Sequence, residues 1–286
     1  MFERISRSIE LVKTSWRILM EDKKLLVFPV LSGIVMLIVI ATFFSAFFLP
    51  LIFSKDAIPF TTNPVIDIIF LFLFYLVSYF VVIFFNVGLI SCVNAKLQGN
   101  DMTIGEGLSA AGKHLGSILA WAIIAATVGL ILRLIEERVG FLGQIAAGLV
   151  GGIWSLVTMF VVPVLIFEEK GVFDAMKGSL GLFRKTWGES VVGSLSIGFV
   201  FFAIGIVGFL LVLATLLLSN ALVLLAAIAL FIVLIAILSI LASAMQGIFV
   251  VALYTYAKTG QVPSAFTREL VERAFTPKGQ TFGGNI

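Results

Sequence analysis

Charged residues are scarce in this chain of 286 residues, where lysine, arginine, aspartate and glutamate together make up 12%. A soluble domain carries about 25% charged residues. Hydrophobic residues make up 60% of the chain, so lipid is the expected solvent for most of it. We therefore expect a single membrane domain over residues 1–286 and no separate soluble domain of ordinary size.

Cysteine and histidine occur once each. Cys92 alone cannot form an intramolecular disulfide, and no second ligand stands at metal-binding spacing from His114. We interpret His114 as a side chain that reaches the membrane interface rather than as a proton or metal site. The expectation is therefore no metal and no cofactor.

Enzyme motifs are missing as well. The chain has no phosphate-binding glycine loop followed by lysine, no H-E-x-x-H, no G-x-S-x-G and no paired carboxylates inside an apolar run. We expect no catalytic residues and no enzymatic activity. A net charge of +3 is too small for a nucleic-acid-binding surface, which leaves membrane lipids as the expected acidic partner and protein partners unidentified.

Six apolar runs are each long enough to cross a bilayer, which takes about 20 residues. They cover residues 25–49, 64–94, 115–135, 140–167, 190–218 and 221–257. No charged residue lies between Glu189 and Lys258, and we interpret Ser219 and Asn220 as a tight turn between the last two runs. The last run exceeds one bilayer thickness, so it should tilt, kink near Gly247 or extend beyond the bilayer.

Basic residues are distributed unevenly between the two sides of these runs. Only Lys55, Arg133 and Arg138 fall in the connectors of one side, and every other lysine and arginine falls in the termini or in the connectors of the opposite side. Because basic connectors are retained in the cytoplasm, this bias predicts a multi-pass protein of the cell membrane with both termini cytoplasmic.

The basic segments also carry apolar residues at helical spacing, which predicts amphipathic helices lying on the membrane surface. Thr103 and Glu106 form the pattern of a capping box at the start of the second one. A shorter amphipathic tail covers 261–286. The three main stripes are Ile5, Ile9, Val12, Trp16 and Leu19; Ile104, Leu108, Ala111 and Leu115; and Phe173, Met176, Leu180 and Phe183. The expected interfacial anchors are Trp16, Lys13, Trp187 and Arg184.

Two pairs of segments indicate an internal repeat. The segment from Ser8 to Trp16 aligns without gaps to Ser179 to Trp187, and Phe160-Val161-Val162 aligns to Phe249-Val250-Val251. The predicted fold is all-α: a polytopic membrane protein of about six transmembrane helices, arranged as three parallel repeats of an interfacial amphipathic helix plus a helical hairpin. The repeat copies cover about 1–95, 96–170 and 171–260. Because many alternating-access transporters are built from inverted repeats, parallel copies mildly disfavour that transport mechanism.

These boundaries and the copies at Ser8 to Trp16 and Ser179 to Trp187 resemble uncharacterised prokaryotic membrane-protein families related to the membrane domain found beside glycerophosphodiester phosphodiesterases. Exits from the even-numbered spans at Glu169 to Gly171 and Lys258 to Gly260 carry the same resemblance. The catalytic phosphodiesterase domain is absent from this chain. What the resemblance implies is an accessory role embedded in the membrane.

Polar residues inside apolar runs are the candidates for a transport pathway, because ionisable groups in a bilayer are costly and usually functional. Asp67 lies near the outer end of the second run, where it can instead reach the interface. Amides in lipid mostly bond to neighbouring helices, and that alternative stays open here. The candidate polar pathway comprises Asp67, Asn86, Gln144 and Gln246.

Small residues recur at every fourth position of two spans, which suits close helix packing within one chain or assembly of several copies. These residues are Gly143, Ala147, Gly151 and Ser155, and Ser239, Ser243 and Gly247. The phenylalanines of the second run are interpreted as lipid-facing rather than as a groove. Arg133, Glu136, Glu137 and Arg138 are interpreted as a hairpin tip with local ion pairs rather than as an outer binding site.

Two functions follow as hypotheses. The first is a non-enzymatic integral membrane protein whose basic helices grip the cytoplasmic leaflet and which organises lipid or partner proteins, with homo-oligomers as one form of assembly. The alternative is a channel or a lipid or small-molecule transporter with a pore or groove between repeats or subunits. Asn86 and Gln246 facing one cavity would favour the alternative.

Overall fold

The computed structural model describes residues 15–53, 64–218 and 220–259. Several predicted features lie outside these residues: the anchor Lys13, the stripe residues before Ser15, Ser219 of the predicted turn and the tail 261–286. The side chain of Trp187 is also outside the described part, although its backbone is helical.

Every regular element among the described residues is a helix. Helix α1 is described over 15–21 and is followed by a 3-10 turn at Lys23–Leu26. The remaining elements are α2 (Val27–Phe53), α3 (Pro64–Leu97), α4 (Ile104–Lys113), α5 (Leu115–Thr158), α6 (Val161–Phe167), α7 (Val172–Thr215), a 3-10 turn (Leu216–Leu218) and α8 (Ala221–Thr259). Six segments are long and apolar enough to span a membrane. The prediction of an all-α polytopic membrane protein with six spans is confirmed.

Those spans follow the predicted runs closely. They are Lys23–Ala46, Val65–Leu97, Leu115–Glu137, Gly143–Phe167, Gly193–Thr215 and Ala221–Thr259. The last span is a single helix that continues through Gly247, so its excess length is taken up by tilt or extension rather than by a break in the helix.

The chain reverses direction within α5, between Trp121 and Trp154. In a straight helix with about 1.5 Å rise per residue, Trp121 and Trp154 would lie about 50 Å apart. Their rings stack with centroids 6.0 Å apart, and Gly151 faces the side chain of Leu132. The third and fourth spans are therefore an antiparallel hairpin, as the sequence predicts.

Contacts divide the described chain into two compact units, which cut across the three predicted repeat copies. The first unit comprises Met1–Leu26, Val93–Asp101 and Leu182–Ile286, so far as these ranges are described, and the second comprises Val27–Cys92 and Met102–Gly181. In the second unit, Phe43 of α2 packs on Phe70 and Phe74 of α3. In the first, Phe209 of α7 packs on Phe231 of α8.

Buried side chains gather near the basic ends of the spans in each unit. In α8 of the first unit they fall almost entirely between Ala244 and Tyr254, just before Lys258. The second unit buries Val87, Leu89 and Ile90 near the end of α3, and Val161, Val164 and Leu165 in α6. Much of the remaining span surface is apolar and exposed, including Phe199, Leu217, Leu222 and Leu230. Surface of this kind needs a lipid environment.

Candidate functional site

The four residues of the predicted polar pathway are divided between the two compact units. Asp67 lies in the first turn of α3 and Asn86 lies 19 residues further along the same helix, about 28 Å away along its axis, and both are half-buried. Gln144 is exposed in α5. Gln246 belongs to the first compact unit and the other three to the second. The pathway remains a prediction.

Gln246 forms a polar contact between two spans of the first unit. Its side-chain amide donates a hydrogen bond to the Ser194 hydroxyl at 3.0 Å, which joins α8 to α7. An amide bonded across helices is the common arrangement in lipid. The contact supports a packing role for Gln246.

The small-residue faces are only partly packed inside the chain. Gly143 and Ala147 are buried and Gly151 contacts Leu132, whereas Ser155 is exposed. On α8, Gly247 is buried, while Ser239 and Ser243 are exposed. The Ser239 hydroxyl donates to the Ile235 carbonyl of its own helix at 2.8 Å. Each small-residue face is therefore packed inside the chain over part of its length and exposed over the rest.

Local backbone geometry marks the boundaries of two short helices. The Thr103 hydroxyl accepts the Glu106 amide at 3.2 Å, and the Glu106 carboxylate accepts the Thr103 amide at 2.7 Å. The predicted capping box is confirmed. His114 ends α4 with backbone angles of −110° and 19°, and Thr186 interrupts α7 with angles of −120° and 20°. The chain thus bends similarly before the third and fifth spans.

Ion pairs at the predicted hairpin tip are local. Arg133 contacts Glu137 at 2.9 Å and Glu136 at 3.8 Å, at helical spacings of four and three residues. Exposed pairs of this kind contribute little to stability. They match the hairpin-tip interpretation of this cluster.

A cleft in the first unit is a site that the sequence analysis did not identify. We call it the charged cleft, and it has a volume of about 500 Å³. Its described lining comprises Ile18, Glu21, Asp22, Lys24, Lys96, Leu97, Gly99, Asn100 and Asp101. The cleft lies where the first span begins and the second span ends.

Asp22 forms one wall of the charged cleft and connects α1 to the first span. Its amide donates to the Ile18 carbonyl at 3.1 Å, which closes the last turn of α1. Its carboxylate accepts the Lys24 amide at 3.2 Å, a local bond that favours turns over continued helix. The Asp22 side chain is only 10% exposed, so its position is fixed by the fold.

The end of α3 forms the opposite wall. Gly99 has a left-handed φ of +82°, its amide donates to the Lys96 carbonyl, and the Asn100 amide donates to the Ala95 carbonyl. This pair of bonds is a Schellman motif, which ends helices at glycine. The turn brings Asp101 back toward Lys24.

Two ion pairs join the walls of the charged cleft. The Lys96 ammonium lies 3.7 Å from the Asp22 carboxylate, with side chains 30% and 10% exposed. The Lys24 ammonium lies 3.1 Å from the Asp101 carboxylate, with side chains 51% and 72% exposed. The Lys96–Asp22 pair is therefore largely shielded from water, whereas the Lys24–Asp101 pair is exposed to it. Together with Glu21, the lining presents both signs of charge within one cleft.

Sequence reasoning missed the charged cleft because it used Lys24 and Lys96 only to orient the spans. Asp22 and Asp101 lie beside those lysines, next to the ends of two spans. The sequence signal for the cleft was the presence of acidic residues close to basic ones at the ends of two spans. No group of three or more histidine, cysteine, aspartate or glutamate side chains in the described part of the chain is arranged to hold a metal.

Comparisons with known proteins give one family. Residues 65–264 match the family model DUF6159, a family of unknown function. No curated protein and no solved structure matches the chain. No link to the membrane domain found beside glycerophosphodiester phosphodiesterases is shown, so that resemblance stays a hypothesis.

Proposed function

This chain belongs to DUF6159, a family of unknown function, and we propose that it is a non-enzymatic membrane protein that organises lipids of the cytoplasmic leaflet. The proposal includes a cell-membrane location with both termini cytoplasmic, as the distribution of basic residues favours. Its short helices would lie at the headgroup level and its spans would face the acyl chains.

The observation that carries the proposal is the way the start of α7 packs in the second unit. Ala175 and Ser179 are fully buried. The Ser179 hydroxyl donates to the Val157 carbonyl at 2.6 Å and accepts the Phe160 amide at 3.2 Å. One face of this helix is therefore fixed to the fourth span.

The predicted apolar stripe of this helix is only partly buried: Met176, Leu180 and Phe183 are half-buried, and Phe173 faces outward. Phe173 is 72% exposed, and Lys177, also on the exposed side, is 82% exposed. An outward phenylalanine beside an outward lysine suits a helix that inserts an apolar residue into a leaflet and keeps its charge among the headgroups. On α1, Trp16 is likewise exposed while Ile18 and Leu19 are buried.

A second short helix is held just as closely. Gly107 of α4 packs against Cys92, Phe28 and the carbonyl of Gly88, at the inner ends of the first two spans. In α7, the corresponding contact of Gly178 is with Val164 of α6. Both short helices fold back on the end of the preceding even-numbered span, which supports the proposed repeat of helix plus hairpin.

An apolar groove between α7 and α8 also suits lipid contact. It has a volume of about 530 Å³, and its α7 wall includes two glycines, Gly198 and Gly205, beside Phe202 and Phe209. The groove lies within two spans whose surroundings are exposed and apolar. An acyl chain would fill it without leaving a void in the bilayer.

Lipid composition around the purified chain tests the proposal. The chain would be extracted with its membrane in polymer discs, and its bound lipids compared with those of the bulk membrane. We expect the wild type to enrich specific lipids, and replacement of Lys177 and Arg184 by glutamine to reduce enrichment of anionic lipids. Substitution of Lys185 by glutamine serves as a single-charge control on the same helix.

Transport is the competing outcome of the same preparation. Reconstituted vesicles would be assayed for ion and small-solute flux, and for movement of fluorescent lipids between leaflets. Enrichment without flux supports an organising role. Flux above protein-free vesicles, or a bound-lipid profile identical to the bulk membrane, would overturn it.

A further inference from the structure

We propose that the charged cleft binds a phosphate group and a primary ammonium joined in one zwitterion, as in the headgroup of an aminophospholipid such as phosphatidylethanolamine. This inference rests on the proposed function, because it names the lipid class that one site of the molecule would select. It is carried by the cleft's position, its two ion pairs and its volume.

The cleft lies next to the ends of two candidate spans, because the first begins at Lys23 and the second ends at Leu97. A bilayer crossed by these spans would have its headgroups at the level of the cleft. Trp16 and Arg17 are exposed on the adjoining helix α1. Tryptophan and arginine are typical of the membrane interface.

The charges of the lining match a zwitterion better than an ion of one sign. Lys24 and Lys96 offer ammonium groups for a phosphate, whereas Asp101 and Glu21 offer carboxylates for an ammonium. The described lining holds more carboxylates than ammonium groups. The cleft should therefore bind an anionic headgroup less favourably than a zwitterionic one. A zwitterion adds no net charge to the cleft.

The two ion pairs differ in exposure, so one can fix the shape of the site and the other can be exchanged for a ligand. Asp22 and Lys96 are the less exposed pair, and the Asp22 carboxylate also accepts the Lys24 amide, so this pair is preorganised. Lys24 and Asp101 form the exposed pair, and exposed pairs are weak. A bound zwitterion can exchange that pair for two equivalent ones, phosphate with Lys24 and ammonium with Asp101.

A primary ammonium fits the lining better than a quaternary one. Its N–H groups can donate to Asp101 and Glu21, as a lysine ammonium does. Quaternary ammonium groups are recognised mainly by aromatic cages, and the described residues of the cleft include no aromatic side chain. We therefore expect discrimination between ethanolamine and choline headgroups.

The turn at Gly99 leaves room for the headgroup. A side-chain carbon added at Gly99 would meet no atom within 4 Å, and the neighbouring Asn100 contributes an amide to the lining. An amide can donate to a phosphate oxygen. The end of α3 therefore supplies space and polar groups at the same point.

Native mass spectrometry of the full chain in mixed phosphatidylethanolamine and phosphatidylcholine nanodiscs tests the inference. We expect retained phosphatidylethanolamine in the wild type, and a loss of about tenfold in its preference over phosphatidylcholine for Asp101→Asn, the effect of losing one charge-assisted hydrogen bond. Asp101→Glu should restore the preference. Equal retention of both lipids by the wild type would overturn the inference.

Asp174→Asn is the matched control, because Asp174 also forms an exposed pair with a lysine, Lys177 at 3.8 Å. It should leave the preference unchanged. If both asparagine variants lose it equally, the effect is not that of the charged cleft and the inference fails. Both pairs are exposed, so each variant is expected to fold, and the melting temperature of each would confirm it.

Soluble O-phosphoethanolamine distinguishes a lipid from a free small molecule. Displacement of retained phosphatidylethanolamine by this compound supports headgroup recognition. Binding of the soluble compound together with no retained phosphatidylethanolamine would overturn the lipid assignment. Retention of other lipids without a preference for ethanolamine refutes this inference alone, whereas absence of any lipid enrichment refutes the proposed function as well.

Discussion

Gly107 is a residue at which α4 closely approaches α3 and Phe28. A side-chain carbon there would lie 2.7 Å from Cys92 Sγ, 2.7 Å from Phe28 Cζ and 3.0 Å from the Gly88 carbonyl oxygen. The backbone oxygen cannot move aside without shifting α3. At residue scale, glycine is required here by space and not by a backbone angle.

We expect Gly107→Ala to destabilise the chain by about 1–3 kcal/mol, because overpacking a tight contact costs that much. Gly112→Ala is the control on the same helix, since a side-chain carbon there meets nothing within 4 Å, and it should be neutral or stabilise by up to about 1 kcal/mol. Thermal unfolding in detergent measures both. A Gly107→Ala protein that melts at or above the temperature of Gly112→Ala would contradict this packing.

At the scale of elements, α4 depends on its cap because it has only 10 residues. Thr103→Ala removes the hydroxyl that accepts the Glu106 amide, and loss of such a cap costs about 1 kcal/mol. We expect hydrogen exchange in the first turn of α4 to become about fivefold faster. Ser109→Ala, at an exposed position of the same helix, should leave exchange unchanged. Unaltered protection in the Thr103 variant would show that the cap does not hold the helix.

Elements of this chain were predictable where one physical rule fixes them. Bilayer thickness sets the length of each apolar run, and the charges from Arg133 to Arg138 mark the reversal inside α5. The capping box follows from the spacing of Thr103 and Glu106. The pairing of Asp22 with Lys96 across the charged cleft was not predictable, because these residues meet only after two spans have folded back. Periodicity also did not tell which face of the third short helix packs on protein, where Ala175 and Ser179 are buried and Phe173 is exposed.

The whole molecule has an orientation in the membrane that follows from its basic residues and stays a prediction. Glu137 and Lys177 test it, because the predicted topology places them on opposite sides. Both side chains are largely exposed. Cys92, the one cysteine of the chain, is buried, so the wild type should react little with a membrane-impermeant maleimide and serves as the blank.

We expect Glu137→Cys to be labelled in intact cells and Lys177→Cys only after the cells are lysed. The reason is that the connector holding Lys177 belongs to the strongly basic side, which is retained in the cytoplasm. Labelling of Lys177→Cys in intact cells would reverse the topology. It would also place the charged cleft at the outer leaflet, since Lys96 and Lys177 lie on connectors of the same side. An organising role in the cytoplasmic leaflet therefore depends on this result.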